Sequence, residues 1–227
     1  DDEDKDEERD ILGEMEIAAR LMITGGEAAE EERMTRADRG MIREAILIAA
    51  RKAFDENRQM LPEDLMFSLE NIARDVSMGE DGREKRTPAR RARAEEMAEA
   101  LRMFTEGFEG ELFNRPGAQW PEADVTIVDL GTLAREGYEA QMAVAVISLL
   151  NTINNIAERE QFSDRDIIVP IDEAHIVTAN PLLGPYATKI VKMWRKLGSW
   201  LWLFTQNLED FPDTAKKMLN MAEWWIC

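Results

Sequence analysis

The sequence has a single cysteine and a single histidine, which excludes several kinds of site. Cys227 is the last residue, so there is no internal disulfide and no cysteine-based metal site. His175 is the one histidine, which excludes a His-rich metal site and a Ser-His-Asp triad elsewhere in the chain. No glycine is followed by lysine, so the phosphate-binding sequence G-x-x-x-x-G-K-[ST] does not occur in these 227 residues. We therefore expect that the chain does not hydrolyse ATP by itself.

Positive charge and long apolar runs are also scarce. The chain has 28 basic and 46 acidic residues and a net charge of −18, which argues against a protein that coats nucleic acid through a broad basic face. There is no run of about 18 apolar residues and no signal peptide at the start, and both absences favour a cytoplasmic protein. The two ends, DDEDKDEERD and AEWWIC, read as if cut in mid-sequence. We expect a piece of a longer protein.

The first half of the chain predicts an all-α helical subdomain over residues 1–115. Apolar residues at helical spacing and helix-start signals predict four helices. They cover Ile11–Ile23, Ala37–Phe54, Pro62 to about Ala73, and Pro88–Phe108. A polar stretch rich in turn formers, Asn114–Pro121, marks the end of this half.

The second half predicts an α/β subdomain over residues 120–227. Short apolar strands alternate with helices, and this order indicates a parallel sheet with right-handed crossovers. The predicted strands are Val125–Leu130, Ile167–Ile171, Trp200–Phe204 and Trp224–Cys227; the predicted helices are Glu139–Ala157, Leu183–Leu197 and Asp213–Ala222.

Candidate site residues follow two of these strands. Asp172 and Glu173 end the run IIVPIDEAHIV, and Thr205 and Gln206 end WLWLFTQN. Sites in open parallel sheets form at the carboxyl ends of strands, and in phosphoryl-transfer enzymes such acids hold Mg²⁺ and polarise the attacking water. A polar pair on the next strand could reach a γ-phosphate or that water. The structural alternatives are that Asp172 and Glu173 are solvent-facing acids at the end of a strand, and that Thr205 and Gln206 belong to a polar cluster that forms a turn.

Three further features leave both a functional and a structural interpretation open. Arg195 and Lys196 end a predicted helix, where the helix dipole stabilises positive charge. An arginine there could also reach a nucleotide in a neighbouring subunit. Asp129 could be a third strand-end acid or a cap for the following turn. A basic segment could touch DNA or could be a solvated loop and helix start; its cations are Arg83, Lys85, Arg86, Arg90, Arg91 and Arg93.

The block IIVPIDEAHIV followed by KIVKMWRKLGSWLWLFTQNLEDF resembles the ATPase half of TraC-type conjugative transfer ATPases of type IV secretion. The match rests on Asp172-Glu173-Ala174, Arg195-Lys196 and Thr205-Gln206 with Asp210-Phe211, in that order. The resemblance implies the distal half of a RecA-like P-loop NTPase with a Walker B strand. It also implies that the helical half is the all-α insertion such proteins carry between phosphate loop and Walker B strand.

Further implications of the resemblance concern chemistry and partners. Asp172 would order Mg²⁺ through water, Glu173 would activate water, Thr205 and Gln206 would lie at the nucleotide with Gln206 sensing the γ-phosphate, and Arg195 would act in trans. The parent protein would bind ATP and Mg²⁺, although this piece alone would not hold them tightly. It would form hexamers, lie in the cytoplasm against the inner membrane beside other type IV secretion components, and power DNA transfer or pilus assembly. The piece alone is compatible with a monomer.

Two departures and two rival interpretations remain. Pro170 stands within the Walker B strand, where it removes an N–H and suggests a bulge, and His175 stands where many relatives have an aromatic residue. The letters DEAH also occur in RNA helicases, but those carry S-A-T on the next strand, where this chain has TQN. A non-catalytic ATPase-like scaffold of the secretion apparatus is the other alternative.

Overall fold

The computed structural model describes residues 10–78, 84–163, 165–180 and 182–207, with positions 211, 219, 220 and 222. Within these residues lie nine α-helices and two strands. They are α1 (Ile11–Thr24), α2 (Ala28–Arg33), α3 (Arg36–Asp55), α4 (Pro62–Arg74), α5 (Pro88–Arg102), α6 (Gly107–Phe113), α7 (Glu139–Glu160), β1 (Ile167–Ile171), α8 (His175–Ala179), α9 (Leu183–Trp194) and β2 (Ser199–Leu203). The predicted strand Trp224–Cys227 and most of the predicted helix Asp213–Ala222 lie outside the described residues, as do Arg83 and Asp210.

The chain divides into two compact units. The first contains Asp1–Ile23 and Met34–Ala118, and the second contains Thr24–Arg33 and Gln119–Cys227. The described part of the first unit is helical, whereas the second adds a two-stranded parallel sheet to its helices.

Helix α3 organises the first unit, and both its start and its buried face follow from the sequence. Thr35 accepts a hydrogen bond from the backbone N–H of Asp38, and Asp38 accepts one from that of Thr35, which is a reciprocal capping box. Ile42, Ala45 and Ile46 lie at helical spacing and are fully buried. The core they join with α4 and α5 also contains Leu65, Leu69, Met97, Ala98 and Leu101.

The predicted single helix Pro88–Phe108 is wrong, because the chain turns after Arg102. Phe104 is buried and meets Phe113 edge to face with ring centroids 5.6 Å apart, so the chain bends to bury it. Gly107 has φ of +62°, and a Cβ on Gly110 would stand 2.5 Å from the carbonyl oxygen of Thr105. The two glycines thus allow α6 to pack back closely on the turn.

A buried acid fixes the start of α4. Asp64 is 2% exposed, and its carboxylate accepts two hydrogen bonds of 2.6 Å from the Arg58 guanidinium and one of 2.9 Å from the backbone N–H of Leu61. The hydrogen bonds from Arg58 are the main reason that the pKa of Asp64 lies below its usual value, against the opposing effect of burial.

We expect Asp64→Ala to lower the free energy of unfolding by about 2 kcal/mol, because it removes a helix cap and leaves Arg58 without its bidentate partner. Urea unfolding followed by circular dichroism measures this. Glu56→Ala is the matched control, since Glu56 also contacts Arg58 but is half exposed, and it should change stability by less than about 0.5 kcal/mol. Equal effects of the two variants would contradict the assignment.

The pH dependence of that difference has a defined sign. A carboxyl whose folded pKa is depressed stabilises the fold above its unfolded pKa, and this contribution is lost as pH falls through the folded pKa. The gap between wild type and Asp64→Ala should therefore be constant near neutrality and narrow below about pH 4.

In the second unit, α7 packs on α9 through a mixed apolar and polar seam. Trp194 is buried and donates its indole N–H to Asn154 Oδ1 at 3.1 Å, and the Tyr186 hydroxyl donates to Asn151 Oδ1. By length and composition α7 could also cross a membrane, contrary to the expectation from apolar run length, but such a helix is weak evidence when half of it is buried inside the fold. The seam with α9 accounts for its apolar face.

The sheet pairs β1 with β2 in parallel register, from Ile167 opposite Ser199 to Ile171 opposite Leu203. The predicted strand Val125–Leu130 is wrong for this structure, because that segment has no ladder partner and its side chains are largely exposed. A parallel third strand and further RecA-like features are thus not part of the described sheet.

The predicted bulge at Pro170 is also wrong, and the alternation of the ladder explains why. The N–H of Ile167 donates to Gly198 O, and Ile171 O accepts from Phe204 N, so both residues direct their backbone groups toward β2. Backbone groups alternate along a strand, so Ile168 and Pro170 point the other way. The ring nitrogen of Pro170 therefore faces the opposite edge, and the ladder with β2 loses no hydrogen bond.

Candidate functional site

The ladder continues past both strands and brings the two predicted polar pairs together. Phe204 N–H donates to Ile171 O, and Ala174 N–H donates to Phe204 O, each at 2.9 Å. These bonds hold the turn containing Asp172 and Glu173 beside the end of β2. Because the strands are parallel, this is the carboxyl edge of the sheet, where α/β proteins form their sites.

The carboxylate of Glu173 lies at the centre of this edge. Its Oε1 accepts a hydrogen bond of 2.8 Å from Gln206 Nε2, and its Oε2 lies 3.4 Å from Nδ1 of His175. Glu173 and His175 are each a little over one-third exposed as side chains. The carboxylate is therefore held by the Gln206 amide while it remains open to solvent, which suits a proton acceptor.

The backbone at Glu173 adopts the left-handed conformation, with φ of +49°. Asp172 Oδ1 accepts a hydrogen bond of 3.0 Å from the Glu173 N–H, which fixes the turn between them. A non-glycine residue in this region is uncommon, and such strain concentrates at functional sites. Asp172 itself is exposed at the same edge.

The other predicted site residues lie apart from Glu173 or in local turns. Thr205 donates its hydroxyl to Asn207 O at 3.1 Å and shapes the turn after β2. Asp129 accepts a hydrogen bond of 2.8 Å from the Gly131 N–H. It therefore caps the following turn and is not a third acid at the end of a strand.

Arg195 lies at the other end of the sheet. It opens a 3-10 turn, Arg195–Leu197, which ends at Gly198 with φ of +65° and leads into the start of β2. A five-residue strand is roughly 17 Å long, so Arg195, before the start of β2, and Glu173, after the end of β1, lie at opposite ends of the strands. The structure does not bring Arg195 into the cluster around Glu173.

The basic segment is largely neutralised by acids of its own unit. Arg86 pairs with Glu44 and Asp75, Arg91 with Glu84, and Arg93 with Asp38 and Glu96. Lys85 and Arg90 are exposed. A DNA contact remains a prediction; among the described cations of the segment, Lys85 and Arg90 are the most exposed.

Sequence reasoning missed two features of the site. His175 was noted only as a departure from relatives, although the one histidine of the chain stands two positions after Glu173, close enough to contact its carboxylate. The left-handed backbone at Glu173 has no local signal, because Gly and Asn are the residues that announce it.

Among the described residues no group of three His, Cys, Asp or Glu side chains could enclose a metal ion. The exposed carboxylate of Asp172 nevertheless fits one side of a magnesium site, since Mg²⁺ keeps several waters and takes few carboxylates from the protein.

The comparisons with known proteins support the fold. No protein-family model matches the chain, and no curated protein sequence matches it significantly. Among solved structures, VirB4 of Thermoanaerobacter pseudethanolicus matches with a TM-score of 0.68 and 16% sequence identity over 91% of this chain. The chain spans about half of that protein, 52% of its length. At this identity the match establishes a shared fold with VirB4.

The positive φ at Glu173 predicts that a glycine variant is more stable than an alanine variant, which is the reverse of the order inside a helix. Both Glu173→Ala and Glu173→Gly lose the Gln206 contact, but only glycine relieves the positive φ, so the glycine variant should be more stable by about 0.5–1 kcal/mol. Urea unfolding of the two variants tests this.

Lys189 provides the control, because it is exposed in the middle of α9. There the glycine variant should be the less stable one by about 1 kcal/mol. The same order at both positions would contradict the left-handed backbone at Glu173.

Proposed function

We propose that this chain is part of a type IV secretion ATPase, with its acid pair and Gln206 serving ATP hydrolysis. The observation that carries the proposal is the Glu173–Gln206 hydrogen bond of 2.8 Å across the carboxyl ends of two parallel strands. The shared fold with VirB4 over 91% of the chain supports it, as do the motifs Asp172-Glu173 and Thr205-Gln206.

We assign each residue a distinct task, which the geometry supports. Glu173 accepts a proton from the attacking water, since its carboxylate is oriented but open to solvent. Gln206 holds that carboxylate through its amide N–H and keeps its own carbonyl oxygen available to the same water. Asp172, on the adjacent turn position, would hold Mg²⁺ through water, and the ion would supply charge stabilisation of the phosphates.

The rest of the assignment goes further than the fold. We infer that the phosphate-binding loop is supplied by a part of the full-length protein other than these 227 residues. In that protein we place a RecA-like sheet, a hexameric ring at the cytoplasmic face of the inner membrane beside other secretion components, and a TraC-type role in DNA transfer or pilus assembly. The local match around Asp172, Arg195 and Gln206 supports this finer class.

The decisive experiment is Glu173→Gln in the full-length protein. We expect ATP hydrolysis to fall at least about 100-fold, because the amide cannot take the proton, while ATP affinity is retained. Phosphate release measures hydrolysis, and a fluorescent ATP analogue measures binding.

Glu122→Gln makes the same charge change at an exposed position in the second unit and should leave hydrolysis unchanged. Full hydrolysis by Glu173→Gln, or a wild-type protein that binds no ATP, would favour the non-catalytic scaffold.

The position of Arg195 predicts that two inactive variants restore activity when they are mixed in one ring. Arg195 is too far from Glu173 to act on the same nucleotide within one subunit, so it can act only on the nucleotide of a neighbouring subunit. Glu173→Gln and Arg195→Ala should each abolish hydrolysis. Rings mixed from equal amounts of the two variants should regain about one quarter of wild-type hydrolysis, since one interface in four pairs an intact glutamate with an intact arginine. No recovery on mixing would show that the two residues act within one subunit or that Arg195 has another role.

A further inference from the structure

We propose that the exposed side of α3 is an interface that pairs with the same side of a second copy of this chain, with the two helices antiparallel. We call this surface the α3 face. It lies on the side of the helix opposite the buried residues that join the core of the first unit. Its exposed residues recur at helical spacing, and they are Gly40, Glu44, Leu47, Ile48, Arg51 and Phe54.

The α3 face has an apolar centre that nothing in the described residues covers. Leu47 is 58% exposed, Ile48 is 42% exposed and Phe54 is 77% exposed. Single exposed apolar side chains are ordinary on a protein surface, but these three stand together within two turns of one helix. Such a group is typical of a surface that another protein molecule covers.

The charges on either side of this centre identify the partner. Glu44 lies one turn before Ile48, and Arg51 lies one turn after Leu47. Two copies paired in parallel would set Glu44 against Glu44 and Arg51 against Arg51, and like charges repel. In an antiparallel pair centred on the apolar residues, each Glu44 lies opposite the partner's Arg51. The face is thus complementary to itself in one direction only.

Contacts within one copy hold both charges at the rim of the apolar centre. Arg86 Nη2 pairs with Oε1 of Glu44, and Nε of Arg51 lies 3.2 Å from Oδ1 of Asp55. Among the described residues, these contacts engage one carboxylate oxygen of Glu44 and one nitrogen of Arg51. The second oxygen and the terminal guanidinium nitrogens can therefore bind across the interface.

The shape of the α3 face fits the same arrangement. Gly40 lies two turns before Leu47, and Phe54 lies two turns after it. When Leu47 meets the partner's Leu47, each Phe54 lies over the partner's Gly40, where no side chain stands in the way. Glycine inside an exposed helix is unfavourable relative to alanine, and a Cβ on Gly40 would meet nothing within 4 Å. The described residues of one copy give no reason for this glycine, whereas a closely packed partner does.

This contact differs in kind from the contacts that close a ring. It is isologous, because both copies contribute the same residues, whereas a ring of more than two copies is built from heterologous contacts. Pairing through the α3 face therefore requires neither a hexamer nor ATP hydrolysis. Since each copy contributes one helix face, the interface is small, and we expect a dissociation constant in the micromolar range.

Sedimentation equilibrium of the 227-residue chain at low salt tests the pairing. We expect the mean mass to rise toward that of two chains, and no further, as the concentration reaches about 0.1 mM. Glu44→Arg and Arg51→Glu each set like charges opposite one another, so each should raise the dissociation constant at least about 10-fold. An equimolar mixture of these two variants should associate again, because the charges of the mixed pair are opposite at both contacts.

Two further variants serve as controls. Arg90→Glu changes the net charge as Arg51→Glu does, at an exposed position of α5, and should leave the association unchanged. Gly40→Leu fills the space that Phe54 needs and should raise the dissociation constant at least several-fold, yet it should make the chain more resistant to urea. Loss of pairing is then distinct from loss of folding.

A chain that stays monomeric at about 0.1 mM would overturn the proposal, and another part of the full-length protein would then be the better candidate for covering the α3 face. Dimers that Glu44→Arg and Gly40→Leu leave unchanged would overturn it as well, and so would charge variants whose mixture does not associate. The measurement needs no nucleotide, so its failure is distinct from a failure of Glu173→Gln to stop hydrolysis.

Discussion

The parallel pairing of β1 with β2 is the constraint on which the candidate site depends. Glu173 and Gln206 are 33 positions apart, and their side chains meet only because Ile171 and Phe204 continue the ladder beyond the strands. A slip of one residue would turn one of the two side chains to the other face of the sheet. The 3-10 turn Arg195–Leu197 and Gly198 connect α9 to the first residue of β2 and so set where β2 begins.

The same local rules explain which parts of the fold the sequence predicts. Helix α3 is predicted almost to the residue because its apolar spacing is regular, and the capping box of Thr35 and Asp38 sets its observed start one residue before the predicted one. The break after Arg102 is not, since burial of Phe104 against Phe113 is a tertiary contact that overrides helical spacing. Strand β1 and its terminal acids are predicted because a continuous apolar run bounded by Asp172 has one simple interpretation.

Other features could not be predicted because they arise from backbone geometry or from long-range pairing. Val125–Leu130 has the composition of a strand, but a strand exists only with a partner, and composition does not supply one. The left-handed turn at Glu173 is fixed by Asp172 and by the ladder bond of Ala174, neither of which has a sequence signature. Such conflicts between local preference and structure are expected at functional positions.

The positions of Glu173 and Arg195 limit how a nucleotide could use both. They lie at opposite ends of the parallel strands, and no side-chain rotation spans the roughly 17 Å length of the strand between them. If both act on the same phosphate, they must come from different subunits, because a single copy cannot present them together. Under the proposed function, an arginine finger in trans would follow from where the helix before β2 ends, and the complete site would need several copies of the protein.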